Sequence, residues 1–264
     1  MNQKHTKTLY IIAGAAGEIG TSFCKALSDK QADALAVIRN TLIPINSKFI
    51  TPVKCDLSDS RSISESFGKI DFSQYDRVVF LHTIGTDKYD PRGYPTIQKM
   101  RTIDPDIYDT NVNTFKYPLR YLISRLESIY VESGKLISFK AVLLGGIPDK
   151  FAPFVIEGFC EAKNLCREYI RSAVSLHPGW ISGLSINVSS TITKSALKVR
   201  PLADLTYWLQ PDEVVMRSID TLMSDKSGFN EIEIFKNSPE FKEGYYEDSE
   251  ALYEKWSRET GTIK

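Results

Sequence analysis

Residues 8–27 read TLYIIAGAAGEIGTSFCKAL, and this stretch decides the fold. An apolar, β-branched run from Thr8 to Ala13 reads as a buried strand. From Ile19 the apolar positions fall at Ile19, Phe23 and Leu27, one face of a helix. Between them Gly14, Gly17 and Gly20 make a turn in which glycine permits positive φ and close approach of a ligand's backbone. The helix that follows points its free N–H groups and dipole at that turn, a ready site for a pyrophosphate. Glycines also make ordinary strand-to-helix turns. Here the strand before and the helix after supply the context that a dinucleotide reading requires.

Outward from this unit, further apolar runs occur at Ala34–Ile38, 49–54, Arg77–His82, 135–141, 173–177 and 231–235, with helical patterns in most of the intervals. Alternating strand and helix predicts an α/β fold, a doubly wound, Rossmann-like parallel sheet covered on both faces. One domain is expected over residues 1–237, with residues 238–264 a charged extension of it, helical around 250–259. Two segments break the rhythm: the turn-rich 86–102, and the Ser/Thr-rich 182–210 after His177-Pro178-Gly179-Trp180. In a doubly wound sheet, ligands bind beyond the carboxyl ends of the strands, where such loops lie.

With 264 residues, the chain is long enough for one sizeable core and short for two. Lys plus Arg and Asp plus Glu are 33 each, so no net field favours nucleic acid or an anionic membrane. No apolar run approaches the roughly 20 residues of a membrane span, and the polar start MNQKHTK does not resemble a secretory signal. A cytoplasmic protein acting on a small molecule is expected. Cys24, Cys55, Cys160 and Cys166 lack the close pairing of metal or redox sites and read as reduced small hydrophobes.

The spacing of Gly14, Gly17 and Gly20 resembles that of the short-chain dehydrogenase/reductase family, and the resemblance covers about residues 8–236. It implies a cofactor-binding set of Gly14, Ala15, Gly17, Glu18, Ile19 and Gly20 at the turn. Glu18 stands where shorter members of the family carry glycine; its carboxylate either opposes the phosphates or points to solvent. Asp56-Leu57 is similar to the family's pair beside the adenine, although Asp56 or Ser58 also suits a helix N-cap. His82-Thr83-Ile84-Gly85 looks like the turn closing the fourth strand, and Pro178-Gly179 like the turn near the nicotinamide. At the end of the second strand, Val37-Ile38-Arg39-Asn40 carries no acid for ribose hydroxyls. Arg39 suits the 2′-phosphate of NADP, and NADP is expected over NAD.

The family's reactions rest on a Tyr-x-x-x-Lys pair, a serine and a helix asparagine. By the same resemblance Asn111 is the asparagine and Lys163 the lysine, which also holds the nicotinamide ribose. Where tyrosine should stand there is Phe159, which cannot donate a proton. The serine falls at Ala141 or at Gly145-Gly146, and Ser138 is too early. Lys140, Tyr89 and Tyr94 are candidate substitute donors. Tyr94, Phe151, Phe154, Trp180, Tyr207 and Trp208 are candidates for an aromatic pocket or for ordinary core.

Three readings follow: an oxidoreductase of small carbonyls or alcohols with a substituted proton donor, a non-redox catalyst that retains the cofactor, or a binding or regulatory protein. Related proteins pair through the helices carrying Asn111 and Lys163. Phe115, Leu119, Leu122 and Leu126 exceed one narrow apolar stripe, so a homodimer or homotetramer is expected.

Overall fold

The computed structural model describes residues 6–41, 43, 45–85, 105–152, 156–237 and 247–261. In chain order the elements are β1 (Thr8–Ala13), α1 (Glu18–Asp29), β2 (Ala34–Ile38), β3 (Ile50–Lys54), α2 (Ser60–Phe67), β4 (Arg77–His82), α3 (Pro105–Tyr108), α4 (Thr114–Ser133), β5 (Ser138–Gly146), α5 (Glu157–Leu176), β6 (Ile181–Val188), α6 (Lys194–Val199), α7 (Pro211–Met223), β7 (Phe229–Ile234) and α8 (Ser249–Glu259). The seven strands form one parallel sheet in the order β3-β2-β1-β4-β5-β6-β7. The chain winds outward from β1 in both directions, as the doubly wound reading expects. The crevice for a ligand therefore opens between the carboxyl ends of β1 and β4, where Ala13 pairs with Val37 on one side and His82 on the other.

Successive side chains of a strand face opposite sides, so a sheet buried on both faces needs apolar residues at every position. Leu9, Ile11, Phe80, Phe139 and Leu143 pack with Phe115, Leu119, Leu122 and Ile170 of α4 and α5. Tyr10, Ile12, Leu81, Val142 and Leu144 pack with Phe23, Leu27, Val214 and Leu222 of α1 and α7. The four apolar residues of α4 expected to mark an assembly face are thus buried within this chain's own core, Leu126 among them. They lend no support to an oligomer.

One strand differs from the sequence expectation. Residues 173–177 form the end of α5 and the turn after it, with Leu176 76% exposed, while β6 lies inside the stretch read as a Ser/Thr-rich loop. The reason is in the residues of β6. Ser185 and Asn187 are fully buried polar groups, bonded to Arg167 of α5 at 3.2 and 3.0 Å. Gly183 is a close-packing position, since a Cβ there would come within 2.3 Å of Ile170. A glycine and buried hydrogen-bonding groups thus interrupt the apolar positions Ile181, Leu184 and Ile186, and the continuous run that marks a covered strand is lost.

Lys140 also moves. Its Nζ donates to the carbonyls of Thr221, Leu222 and Ser224 at the carboxyl end of α7, next to Arg77, which donates to Met223 and Ser224. Two buried cations satisfying the last carbonyls of a helix are a cap. Burial pulls the Lys140 amine down to about 8. Early in β5, it sits near the amino ends of the strands, opposite the ligand crevice, and is no proton donor there.

Candidate functional site

The glycine turn has the geometry its residues allow. Gly14 sits at φ +82, and a Cβ there would strike Ile84 and Thr83 at 2.8 and 2.9 Å. Gly20 has no room at all: its Cβ would lie 2.2 Å from the carbonyl oxygen of Gly14. Ala15 is buried beneath the turn. The N-cap of α1 is Gly17, with no side chain bonded back to the helix, so the first N–H groups of a 12-residue helix face the turn.

Two cavities flank this turn and share Ile84. One, of about 580 Å³, is lined by Gly14, Ala16, Arg39, Asp56 and Leu57, with Asp106 and Asp109 on its far side. Asp56 accepts from the backbone N–H and hydroxyl of Ser58 at 2.9 and 2.6 Å. The Ser58 hydroxyl foremost, and Arg39 to a smaller extent, hold its carboxyl below the usual range. The N-cap of α2 is neither Asp56 nor Ser58 but Asp59, which accepts from Arg61. Asp56 thus remains on the cavity wall beside Arg39.

The other cavity, of about 380 Å³, begins at Gly17, Glu18, Ile19 and Gly20. It passes Thr83, Gly85 and Lys163 and ends among the carboxyl ends of β5 and β6. Lys163 is 2% exposed; its Nζ donates to the Ile84 carbonyl at 2.6 Å and lies 5.5 Å from the Phe159 ring centroid. Burial lowers its pKa, while the nearby Cys166 and Asp149 oppose that shift. Phe159 lines the cavity four residues before it, so Phe159 and Lys163 share one helix face.

Several expected site residues lie elsewhere. His82 is fully buried, its Nε2 2.9 Å from the Thr114 hydroxyl and its Nδ1 without a partner among the described residues, and it lines neither cavity. Burial and the Lys163 charge hold its imidazole neutral. Asn111, in a π-helical turn over Asp109–Asn113, is fully buried, donates to the Ile107 carbonyl, and lines neither cavity. Pro178 and Gly179 form the turn entering β6, at the amino ends of the strands and away from the crevice at their carboxyl ends, and Trp180 packs there against His177. The carboxyl end of β6 brings Ser189, Ser190 and Thr191 to the cavity instead. Glu18 neither opposes the phosphates from within the turn nor points free into solvent: its Oε2 accepts from the Lys194 N–H at 2.7 Å, across the mouth of the cavity. Tyr89, Tyr94 and Phe154 lie outside the described residues. Phe151 is 45% exposed and lines neither cavity, whereas Tyr207 and Trp208 do line the second.

The position expected of a serine resolves to Gly145-Gly146, since Ala141 is mid-strand core. A Cβ on Gly145 or Gly146 would lie 2.8 or 3.0 Å from the carboxylate of Asp149, which occupies that space. Asp149 is fully buried, accepts from the Gly146 N–H at 2.7 Å, pairs with Arg167 at 3.4 Å, and leaves Oδ1 without a partner among the described residues. Burial pushes its carboxyl up to about 6 against the pull of Gly146, Lys163 and Arg167. A carboxyl raised on folding stabilises most below its unfolded value of 3.8, and that contribution is lost as pH rises through about 6. Asp149→Asn has no such loss. The Tm of the variant minus that of the wild type is therefore expected to rise by about 5 °C between pH 4 and pH 7. A flat difference across that range in thermal unfolding would show that Asp149 titrates normally.

The far wall of the second cavity comes from the end of the chain, which the sequence reading left as an extension. Trp256 of α8 packs on Ile156 and Cys160 and lines the cavity. Arg200 lies 4.6 Å from the ring centroids of both Trp208 and Trp256, and its guanidinium bonds Glu259 at 2.6 and 2.5 Å. Only the placement of β6 and α8 reveals these residues. In sequence they are scattered over 68 positions, from Ser189 to Trp256. All four cysteines are buried, and none is in a disulfide. Among the described residues no helix is long and apolar enough to cross a membrane, and no cluster of His, Cys, Asp and Glu could hold a metal ion.

A seven-stranded parallel sheet with this order, and a glycine turn between two cavities at its switch point, is the fold of the short-chain dehydrogenase/reductases. The chain is similar in structure to a short-chain dehydrogenase from Burkholderia cenocepacia in complex with NADP. That likeness has a TM-score of 0.67 and 13% identity, over 95% of this chain and 97% of that one. It is also similar to 4-hydroxyisoleucine dehydrogenase complexed with NADH, with a TM-score of 0.63 and 19% identity, over 86% and 96% of the two chains. A 3-oxoacyl-[acyl-carrier protein] reductase with bound NAD from Brucella melitensis gives 0.61 and 17%, over 87% and 90%. No family model and no curated protein matches the sequence. At these identities the likeness is one of fold, and function must be argued from the site.

Proposed function

We propose that this chain binds a nicotinamide dinucleotide, NADP in preference to NAD, and acts as an oxidoreductase on a small carbonyl or alcohol. The observation that carries this reading is the pair of cavities meeting across the Gly14–Gly20 turn, with the Lys163 ammonium in the second. The residues suit the cofactor. The N–H groups at the start of α1 suit a pyrophosphate. Arg39, Asp56 and Leu57 suit an adenosine. Lys163 has one carbonyl acceptor and further N–H donors to offer ribose hydroxyls. When bound, the nicotinamide supplies or accepts a hydride.

The chain's own part is to exclude water, orient and balance charge. Gly85 leaves the cavity open over Phe159 and Lys163: a Cβ there would stand 3.5 Å from the ring and 3.6 Å from Nζ. Phe159 contributes an apolar wall and no proton. A non-redox catalyst or a binding protein is the second reading, favoured by Phe159 and by Asp149 filling the space of the serine. Homo-oligomerisation is proposed on the family resemblance alone.

Arg39 tests the choice of cofactor. It is exposed at the cavity edge, free to pair with a 2′-phosphate. Calorimetric titration of Arg39→Ala is expected to show NADP binding about tenfold weaker, one charge-assisted contact, with NAD binding unchanged. Wild-type binding of NAD as tight as NADP would overturn the preference.

A further inference from the structure

The geometry points to a substrate site in the far half of the second cavity that takes a flat, uncharged aromatic carbonyl or alcohol and rejects carboxylates, with Arg200 and Glu259 setting that selectivity. This inference rests on the proposed cofactor site and names the substrate class for it.

The lining of this cavity is largely apolar and aromatic: Ile156, Phe159, Tyr207, Trp208 and Trp256. A flat ligand gains most there, because aromatic contacts add edge and face attraction to the area removed from water. Arg200, in the far half, is already neutralised. The guanidinium is held between two indoles and paired twice with Glu259, while another N–H reaches the Ser190 hydroxyl at 3.1 Å. Glu259 also pairs with Lys255 at 3.1 Å. At the mouth, Glu18 adds a carboxylate. A carboxylate ligand in this half would give up its hydration against a guanidinium already paired with Glu259; among the described residues lining the cavity the other cation is Lys163, in the half nearer the glycine turn.

An uncharged ligand meets no such barrier. It also meets the carboxyl end of β6, where Ser189, Ser190 and Thr191 line the cavity. The pair is thus a filter built from a latent anion site. Arg200 has the fork geometry that binds carboxylates, and Glu259 keeps it occupied.

Benzaldehyde and 4-carboxybenzaldehyde, titrated calorimetrically into the full chain without cofactor, test this. The wild type is expected to bind benzaldehyde at least tenfold more tightly. Glu259→Gln is expected to reverse the order, because it removes the carboxylate that occupies Arg200. The double variant Arg200→Met/Glu259→Met, which replaces the pair by apolar groups, is expected to keep the wild-type order. It also keeps the test valid should the single variant fail to fold. Wild-type binding of the carboxylate as tight as benzaldehyde, saturable binding of neither, or a folded Glu259→Gln that gains no carboxylate affinity would each overturn the inference. Its failure is separable from that of the proposed function. Discrimination without NADPH oxidation refutes the redox reading alone, and NADPH oxidation by both aldehydes equally refutes the filter alone.

Discussion

Gly20→Ala is expected to reduce dinucleotide affinity about 100-fold or more and to destabilise the fold. The added methyl would sit 2.2 Å from the Gly14 carbonyl oxygen, 2.9 Å from its carbon and 3.0 Å from the Ala15 Cα. All three are backbone atoms, so nothing can rotate aside; either α1 lifts from β1 or the turn opens. Overpacking of this kind costs about 1–3 kcal/mol. The loss in binding is larger in effect, because an anion held by oriented N–H groups depends on their position within about 1 Å. Gly17→Ala provides the internal comparison. Its Cβ would meet the same oxygen at 3.2 Å, and its φ of −73 suits any residue. A much milder loss is expected there. Equal losses in calorimetric titrations of the two would mean that the turn is not held by the contact described.

Phe159→Tyr is expected to raise NADPH-dependent reduction of an uncharged carbonyl about 100-fold, the lower part of the range for supplying a positioned general acid. Phe159 lines the cavity, and Lys163 Nζ is 5.5 Å from its ring centroid. A phenol at this position would be favoured in its ionised form by that ammonium, lowering its pKa toward the working range. No added serine should be needed. Ala141→Ser would bury a hydroxyl in the core, and a side chain at Gly146 would crowd Asp149. If the wild type already turns over strongly and Phe159→Tyr abolishes it, the enzyme uses another donor. Tyr207 is then the first to examine, since it lines the cavity and Lys140 does not.

Much of the fold was legible because β2 is apolar at every position and β1 and β4 at all but their end residues, the mark of strands covered on both faces. The glycine turn was legible because its three glycines each have a steric reason that recurs wherever a strand passes tightly into a helix. What failed did so for one physical cause: polar residues with a buried role look like loop. Ser185 and Asn187 disguised β6, and that error moved the expected nicotinamide turn to Pro178-Gly179, at the amino end of the strand and not its carboxyl end. Lys140 showed the converse. A lysine in an apolar strand reads as functional, yet here it caps α7. Long-range partners such as Arg200 and Glu259, or Glu18 and Lys194, leave no local pattern at all.

The central claim is that the crevice over Gly14–Gly20 holds a nicotinamide dinucleotide, and calorimetric titration of the full chain with NADPH and NADH tests it most directly. Saturable binding of one molecule per chain is expected, tighter for NADPH and lost in Gly20→Ala while the variant still unfolds cooperatively. No binding of either nucleotide to the folded wild type, or binding that survives Gly20→Ala unchanged, would contradict it.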